Sequence, residues 1–221
     1  MNKHVGAYQS KFHLMRRKVR RKYLLLNGNY TIFEELKERL IYVNPQTINL
    51  IYVVKSLDYP TREFSGAVVK DNFFSDSLIP LKLHPKYRYC TAHWKYGYSW
   101  EESGAIDYYQ EMFKKFSTSY SGFDKMQTIS DVYHRLSNLD EIYLESKKNN
   151  SLKTRYQLNL SPNELNEKGG ILVHFDSKNN VILGGGFHRL ALAKILGFES
   201  IPAVIGLVSH KSLVFVRQNL I

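Results

Sequence analysis

The clearest pattern of apolar and polar positions lies in the second half of the chain. Apolar side chains recur there at intervals of four, three and four residues: Val132, Leu136, Leu139 and Tyr143. This spacing places them on one face of a helix. Ser130 is a favourable residue for its start, and the cations and asparagines at 147–150 are typical of a helix end.

Shorter apolar runs follow this helix and predict strands. The runs 171–175 and 181–183 flank a polar segment, 177–180, which predicts a hairpin. Three glycines come next. An apolar stretch rich in small residues then predicts a helix over about 187–196, which stops at a glycine. A last strand is expected over 201–208.

The pattern at the start of the first half predicts a helix. Residues 31–34 have the sequence of a capping box. An apolar stripe at helical spacing accompanies it: Ile32, Leu36 and Leu40. Asn44-Pro45 would end this helix.

The rest of the first half predicts two strands and a second helix. The runs 49–55 and 64–70 are rich in β-branched residues and lie on either side of a turn at 58–60. A second capping box, 99–102, precedes apolar residues at helical spacing: Ile106, Tyr109, Phe113 and Phe116. Gly104 weakens this helix because glycine has a low helix propensity.

These elements predict an α/β (α+β) chain with two domains. The polar, serine-rich stretch 117–122 is the best candidate for the boundary between them. We expect a basic arm at 1–23, a smaller, aromatic-rich α+β module at 24–120, and a domain of mixed sheet and helices at 124–221.

Composition excludes several classes of protein. Apolar residues make up 43% of the 221 residues, which is enough for a core and argues against a disordered chain. No run approaches the roughly 18 apolar residues of a membrane span, and the first residues lack the apolar stretch of a signal peptide. The single cysteine, Cys90, excludes an internal disulfide and a zinc site with several cysteines. We therefore expect a cytoplasmic protein with no transmembrane segment.

Positive charge dominates the chain. Thirty-one Lys and Arg against twenty Asp and Glu give a net charge of +11, which favours anionic partners such as nucleic acid, nucleotides or phosphorylated sugars. Residues 11–22 hold seven of the cations and no acid. This segment is either an arm that binds nucleic-acid phosphates or a solvated helix whose apolar residues pack against the body.

The segment with the strongest chemical signal is 181–202, VILGGGFHRLALAKILGFESIP. A strand leads through three glycines into a helix whose N–H groups and positive dipole end form an anion site. Cations in the first turn are disfavoured by that dipole, so a bound anion would offset the cost. The predicted phosphate-binding residues are Gly184, Gly185, Gly186, His188 and Arg189.

The same segment resembles the signature of the ParB/sulfiredoxin superfamily. The residues that carry the resemblance are Gly185-Gly-Phe-His-Arg189, Ala191, Ala193, Leu196-Gly197 and Ser200-Ile-Pro-Ala-Val204. It covers about residues 130–209. The corresponding turn is Gly-Glu-Arg-Arg in ParB-like members, which bind a cytidine nucleotide, and Gly-Gly-Cys-His-Arg in sulfiredoxin, which binds ATP phosphates. Free serine kinases of this fold carry Asp-Gly-His-His-Arg. The resemblance implies a ParB/sulfiredoxin-like domain that binds ATP or another nucleoside triphosphate with Mg²⁺.

At two points the sequence departs from the family signature, and each departure argues against a function that other members have. Phe187 stands where sulfiredoxin has its catalytic cysteine, so reduction of a sulfinic acid through a thiol is excluded. No helix-turn-helix pattern follows the last strand, which makes a chromosome-partition role improbable.

The resemblance to the kinases also implies catalytic residues. Asp131, Asp140 and Glu141 are the carboxylates expected near the pocket, where one would take a proton from an acceptor hydroxyl, and His188 would assist. The alternative for all three carboxylates is a place at a helix end or on a solvated face. His210 is expected to approach the glycine turn. No metal site built from protein ligands is expected, because Mg²⁺ would be held mostly by phosphate oxygens.

Three other residues each have a structural and a functional interpretation. His174 alternates with core residues in its strand and is expected at the surface. Trp94 and Trp100 either stack on a sugar or a base or pack in the core.

Three functions remain open from the sequence. The first is a nucleotide-dependent phosphotransferase or nucleotide hydrolase whose acceptor is a small-molecule or glycan hydroxyl. The second is a nucleic-acid-binding protein without catalysis, which uses residues 11–22. The third is a phosphate-ligand module whose N-terminal half binds a partner protein.

Overall fold

The fold is known from a computed structural model of the chain. It describes residues 31–53, 65–74, 77–115, 126 and 128–221. The predicted basic arm at 1–23, the turn at 58–60 and the boundary at 117–122 lie outside the described residues.

Eight strands and five α-helices make up the described part of the chain. The strands are β1 Thr31–Ile32, β2 Leu40–Val43, β3 Leu50–Tyr52, β4 Ala67–Val69, β5 Leu78–Pro80, β6 Ile171–Phe175, β7 Val181–Gly185 and β8 Ile201–Ser209. The helices are α1 Pro85–Tyr96, α2 Ala105–Lys115, α3 Ile129–Asn149, α4 Phe187–Ile195 and α5 Leu213–Asn219. The predicted α+β class is confirmed.

All eight strands belong to one mixed sheet. Its order is β1-β4-β8-β6-β7-β3-β5, and β2 also pairs with β8. The three strands of residues 171–209 form its centre, and strands of residues 31–80 lie on both sides of them. The sequence on either side of the predicted domain boundary therefore contributes to the same sheet.

Apolar residues cover both faces of the central strands. Side chains alternate between the faces of a strand. One face carries the main core, which includes Ile171, Val173, Phe175, Leu183, Leu190 and Ile205. The other face carries a smaller cluster that includes Tyr52, Phe74, Ile182 and Leu207. A third cluster includes residues of α1, α2 and α3: Tyr89, Cys90, Ile106, Tyr109, Val132 and Leu136.

The elements predicted for the second half are confirmed. Helix α3 buries Val132, Leu136 and Leu139, as their spacing predicted. Its N-cap is Thr128, two residues before the predicted one. The hairpin β6–β7, helix α4 and strand β8 agree with the predicted segments to within about two residues.

The helix predicted from residue 31 is wrong. The segment forms β1, a short 3-10 turn at Glu34–Leu36 and β2. Glu38 has a positive φ of 54°, which a continuous helix does not allow. Strand β2 pairs antiparallel with β8, and Ile41 and Val43 are buried in the core. Tertiary pairing of β-branched residues therefore outweighs the local capping signal.

The helix predicted after 99–102 begins later than the capping box. Ser99 and Glu102 do exchange the reciprocal hydrogen bonds of such a box, at 2.9 and 3.1 Å. Gly104 follows with φ of 81°, so the regular helix α2 starts only at Ala105. None of the helices in the described part is long and apolar enough to span a membrane.

Candidate phosphate-binding site

The glycine turn places Gly186 at the start of α4. Gly186 is the N-cap residue with φ of 87°, and a Cβ there would lie 2.8 Å from Ile171 Cα. Only glycine fits both conditions without strain. No side chain caps this helix, so the first N–H groups of α4 are not used by a cap. Gly184 and Gly185 belong to β7 and precede the turn.

Arg189 is held inside the protein. Its guanidinium lies 3.4 Å from Glu167 Oε1 and also donates a hydrogen bond to the carbonyl of Lys153. The Glu167 side chain is fully buried, and its other oxygen accepts a hydrogen bond from the backbone N–H of Arg155 at 2.8 Å. Burial lowers the pKa of Arg189, and Glu167 opposes that shift. Among the described residues, Arg189 therefore already has an anionic partner.

His188 is buried and bonded to a tyrosine of α1. Its Nε2 lies 2.6 Å from the hydroxyl of Tyr89, which in turn lies 3.4 Å from the hydroxyl of Tyr109. The pKa of His188 is well below its ordinary value, first because of burial and then because of Lys86, Arg135 and His84. Two of these side chains, Lys86 and Arg135, are cations. His188 is therefore a neutral ring close to two positive charges.

A stacked pair of rings joins the starts of α1 and α4. His84 is the N-cap residue of α1, and its ring stacks on Phe187 with centroids 4.0 Å apart. Its Nδ1 accepts a hydrogen bond from the N–H of Lys86 at 3.2 Å. Burial and Lys86 lower the pKa of His84 to about 4. The first turns of these two helices therefore lie beside each other.

A pocket of about 220 Å³ opens at the start of α1. Its lining residues are Pro85, Arg88, Tyr89, Ser103 and Gly104; we call it the basic pocket. Pro85 and Arg88 are in the first turn of α1, and Gly104 directly precedes α2. Tyr89 connects the pocket to His188. The starts of two helices, one guanidinium and one buried tyrosine therefore surround the same small volume.

The structure corrects the prediction that His174 lies at the surface. Its side chain is fully buried between two glycines, because a Cβ on Gly184 would lie 2.2 Å from its Nε2 and a Cβ on Gly206 would lie 2.3 Å from its Nδ1. The N–H of Leu207 donates to Nδ1 at 2.8 Å. The first glycine of the motif therefore makes room for a histidine ring.

The three predicted catalytic carboxylates have structural surroundings. Asp131 completes the capping box of α3 with Thr128. Asp140 accepts hydrogen bonds from both tryptophan rings, Trp94 and Trp100, each at 2.8 Å, and also contacts His93. Glu141 is exposed on α3. These hydrogen bonds join Asp131 to the start of α3 and Asp140 to His93 and the two tryptophans, not to the glycine turn. Both tryptophans pack in the protein interior, as the structural interpretation expected.

His210 lies at the other end of the sheet from the glycine turn. Strand β7 ends beside Leu172 and β8 begins beside Ile171, but β8 ends beside Phe175. His210 follows that far end and is exposed. About seven residues of strand, roughly 20 Å, separate it from the turn, so it does not approach the predicted phosphate site.

Sequence reasoning missed the residues of the basic pocket. The available signal was the one used for Arg189: Lys86 and Arg88 are cations in the first turn of a helix that contains no acid there. His84-Pro85 marks the start of that helix. Within the described residues, no group of three or more metal-binding side chains forms a site for a cation.

Comparison with family models, with curated proteins and with solved structures found no match. The resemblance to the ParB/sulfiredoxin superfamily therefore stays a prediction from the sequence.

Proposed function

We propose that this protein binds a phosphate-bearing small molecule, a nucleotide, in the basic pocket. The observation that supports the proposal best is the pocket itself: the starts of α1 and α2 meet there beside Arg88 and Tyr89. Helix N-termini carry partial positive charge, which suits phosphate oxygens. The first N–H groups of α1 donate to its own N-cap residue, His84, so the helix dipole is what would attract the ligand there. A guanidinium adds a forked pair of donors for the same oxygens.

The electrostatics of the surroundings favour an anion. Lys86 and Arg88 lie in the first turn of α1, where the helix dipole disfavours cations. The neighbouring His188 is kept neutral by burial and by nearby basic groups. A phosphate in the pocket would stabilise this concentration of positive charge, and the net charge of +11 would attract it from a distance.

His188 contributes to the pocket through Tyr89. Neutral His188 has a proton on one ring nitrogen, and a proton on Nε2 would be donated to the hydroxyl of Tyr89. The hydroxyl of Tyr89 also lies 3.4 Å from that of Tyr109, and Tyr89 lines the pocket. This hydrogen-bonded chain holds Tyr89 in a fixed position at the wall of the pocket.

The pocket favours binding over the two other functions. Its five lining residues include no carboxylate that could activate an acceptor hydroxyl, so phosphotransferase or hydrolase activity rests on the sequence resemblance alone. Nucleic-acid binding rests on residues 11–22, which lie outside the described residues. A volume of about 220 Å³ accommodates a phosphate group.

Calorimetric titration of the full chain tests the proposal. The ligands are ATP, CTP, GTP and inorganic phosphate, each with and without Mg²⁺. We expect a nucleotide to bind, and we expect Arg88→Ala to weaken it about tenfold or more, which corresponds to about 1.4 kcal/mol. Lys148→Ala is the matched control, because it also removes one exposed positive charge but lies at the end of α3. No binding by any ligand, or equal losses in the two variants, would overturn the proposal.

Salt dependence separates the proposed function from nucleic-acid binding. A nucleotide contacts few phosphates, so its affinity should fall only mildly between 50 and 200 mM salt, whereas a duplex with several phosphate contacts should lose about a thousandfold. Mild salt dependence for ATP together with retained ATP affinity in excess duplex DNA supports the pocket.

A further inference from the structure

A second pocket, of about 380 Å³, lies beside β2. Its lining residues are Leu40, Tyr42, Thr154, Tyr156, Gln157, Glu164 and Leu165; we call it the aromatic pocket. It forms where the segment 154–166 runs beside β2. The N–H of Leu40 donates to the carbonyl of Leu165 at 2.8 Å, and Arg39 bridges to Asn166. Its volume is within the range of roughly 300–1,000 Å³ that is usual for small-ligand pockets.

We propose that the aromatic pocket binds a neutral saccharide ring. The pocket offers two exposed tyrosine rings, Tyr42 and Tyr156, which are 56% and 46% exposed. Exposed aromatic faces suit the apolar C–H faces of a pyranose, and the phenolic hydroxyls suit its polar edge. The two rings come from different elements, β2 and the turn at 155–160, and both line the pocket.

The polar groups of the pocket match the hydroxyls of a sugar. Gln157 and Thr154 hold each other in place: the N–H of Thr154 donates to Gln157 Oε1 at 2.8 Å, and the N–H of Gln157 donates to Thr154 Oγ1 at 3.1 Å. Within the part of the chain that the structure describes, no acceptor is bonded to the amide N–H groups of Gln157, whose side chain is fixed by these bonds. Among the described residues, the Glu164 carboxylate has no hydrogen-bond donor. One fixed donor and one open acceptor are what vicinal hydroxyls require, and preorganisation lowers the entropic cost of binding.

Charge selects a neutral ligand over an ionic one. The Glu164 carboxylate repels phosphates and other anions, so the aromatic pocket does not duplicate the basic pocket. A cation would benefit from Glu164 and the tyrosine rings, but the net charge of +11 on the chain disfavours the approach of cations. A neutral polyhydroxylated molecule is repelled neither by Glu164 nor by the positive charge of the chain.

Saturation-transfer NMR with methyl glycosides tests the inference. The probes are the methyl glycosides of glucose, galactose and N-acetylglucosamine, with tetramethylammonium as the cationic probe. We expect saturation transfer to at least one glycoside and about a tenfold loss of affinity in Tyr42→Ala and in Tyr156→Ala. Tyr96→Ala is the matched control, because Tyr96 is also exposed but lies at the end of α1.

Three outcomes would overturn the inference. The first is no transfer to any glycoside. The second is transfer that persists unchanged in the double variant Tyr42→Ala/Tyr156→Ala. The third is transfer to tetramethylammonium alone. Circular dichroism of each variant shows that it is folded, and Glu164→Gln provides a further variant whose substitution lies on an exposed side chain. The result is independent of the basic pocket, because Arg88→Ala should leave saccharide binding unchanged.

Discussion

His174 and His188 are both buried, but they are connected to different parts of the molecule. His174 lies in the sheet between Gly184 and Gly206, and its Nδ1 accepts a backbone N–H. Its Nε2 has no hydrogen-bond partner among the described residues. His188 lies in the first turn of α4 and bonds to Tyr89, which lines the basic pocket. Both rings are neutral at pH 7, because burial lowers both pKa values.

The difference between the two histidines divides the glycine motif into a structural part and a part that reaches a pocket. Gly184 makes room for the ring of His174, and Arg189 is paired with the buried Glu167. His188 alone among the predicted phosphate-binding side chains is connected to a cavity through a hydrogen bond. Residue types that share one motif therefore need not share one role.

The largest expected effect on stability comes from replacing Arg189, which belongs to the structural part of the glycine motif. Arg189→Ala leaves the Glu167 carboxylate buried without its ionic partner, and we expect a loss of about 3–5 kcal/mol in the free energy of unfolding. Arg217→Ala is the matched control: Arg217 pairs with Glu35 at the surface, so its loss should cost about 1 kcal/mol or less. Urea denaturation measures both. Equal small losses would show that Arg189 is available for a ligand.

The next effect concerns the room that Gly184 leaves for His174. Gly184→Ala places a methyl group 2.2 Å from Nε2 of the ring, and we expect it to cost about 3 kcal/mol. The three atoms nearest to that methyl all belong to His174. In the His174→Ala background the same substitution should therefore cost much less. A double-mutant cycle by urea denaturation measures the coupling, and additive losses would refute the contact.

The third prediction is the pH dependence that His174 imposes on stability. The pKa of His174 is about 3 in the folded protein and near 6.5 in the unfolded chain. Its contribution to the free energy of unfolding is therefore complete above pH 6.5 and falls as the pH drops toward 3. Between pH 7 and pH 5, His174 alone should lower the free energy of unfolding by about 2 kcal/mol, and His188 should lower it further. Urea denaturation at the two pH values measures the loss. A flat profile would contradict the burial of both rings.

The smallest expected change in stability is at Tyr89, on the pocket side. Tyr89→Phe removes the hydroxyl that bonds to His188 Nε2 and should cost about 1–2 kcal/mol, because a buried ring nitrogen loses its partner. The same substitution should weaken nucleotide binding. Thermal denaturation and calorimetry of one sample measure both, and lost stability with unchanged binding would place the ligand away from Tyr89.

The sequence predicted the elements of the second half well because their signals are local. The spacing of Val132, Leu136 and Leu139 and the three glycines before α4 each determine a conformation within a few residues. The segment 31–44 was predicted incorrectly because its state depends on pairing with β8, some 160 residues later in the chain. Local capping patterns carry no information about such a partner.

The candidate site was less predictable than the fold. The sequence around Arg189 does not show whether its partner is a ligand or Glu167. Glu167 lies in a loop whose sequence has no recognisable pattern, so the ion pair could not be predicted. His174 was expected at the surface because alternation in a strand assumes one solvated face, whereas both faces of β6 are covered. Arg88 could have been predicted as a site residue, because it is a cation in the first turn of a helix, which is the argument that was applied to Arg189.

The most direct test of the account follows both imidazoles in one titration. In a ¹⁵N-histidine sample, ATP is added while the ring signals of His174 and His188, assigned with His174→Gln and His188→Gln, are recorded. The account predicts that the His188 signal shifts with the occupancy of the basic pocket, because Tyr89 joins them, and that the His174 signal stays in place. A shift at His174 alone, or no shift at either ring under saturating ATP, would contradict it.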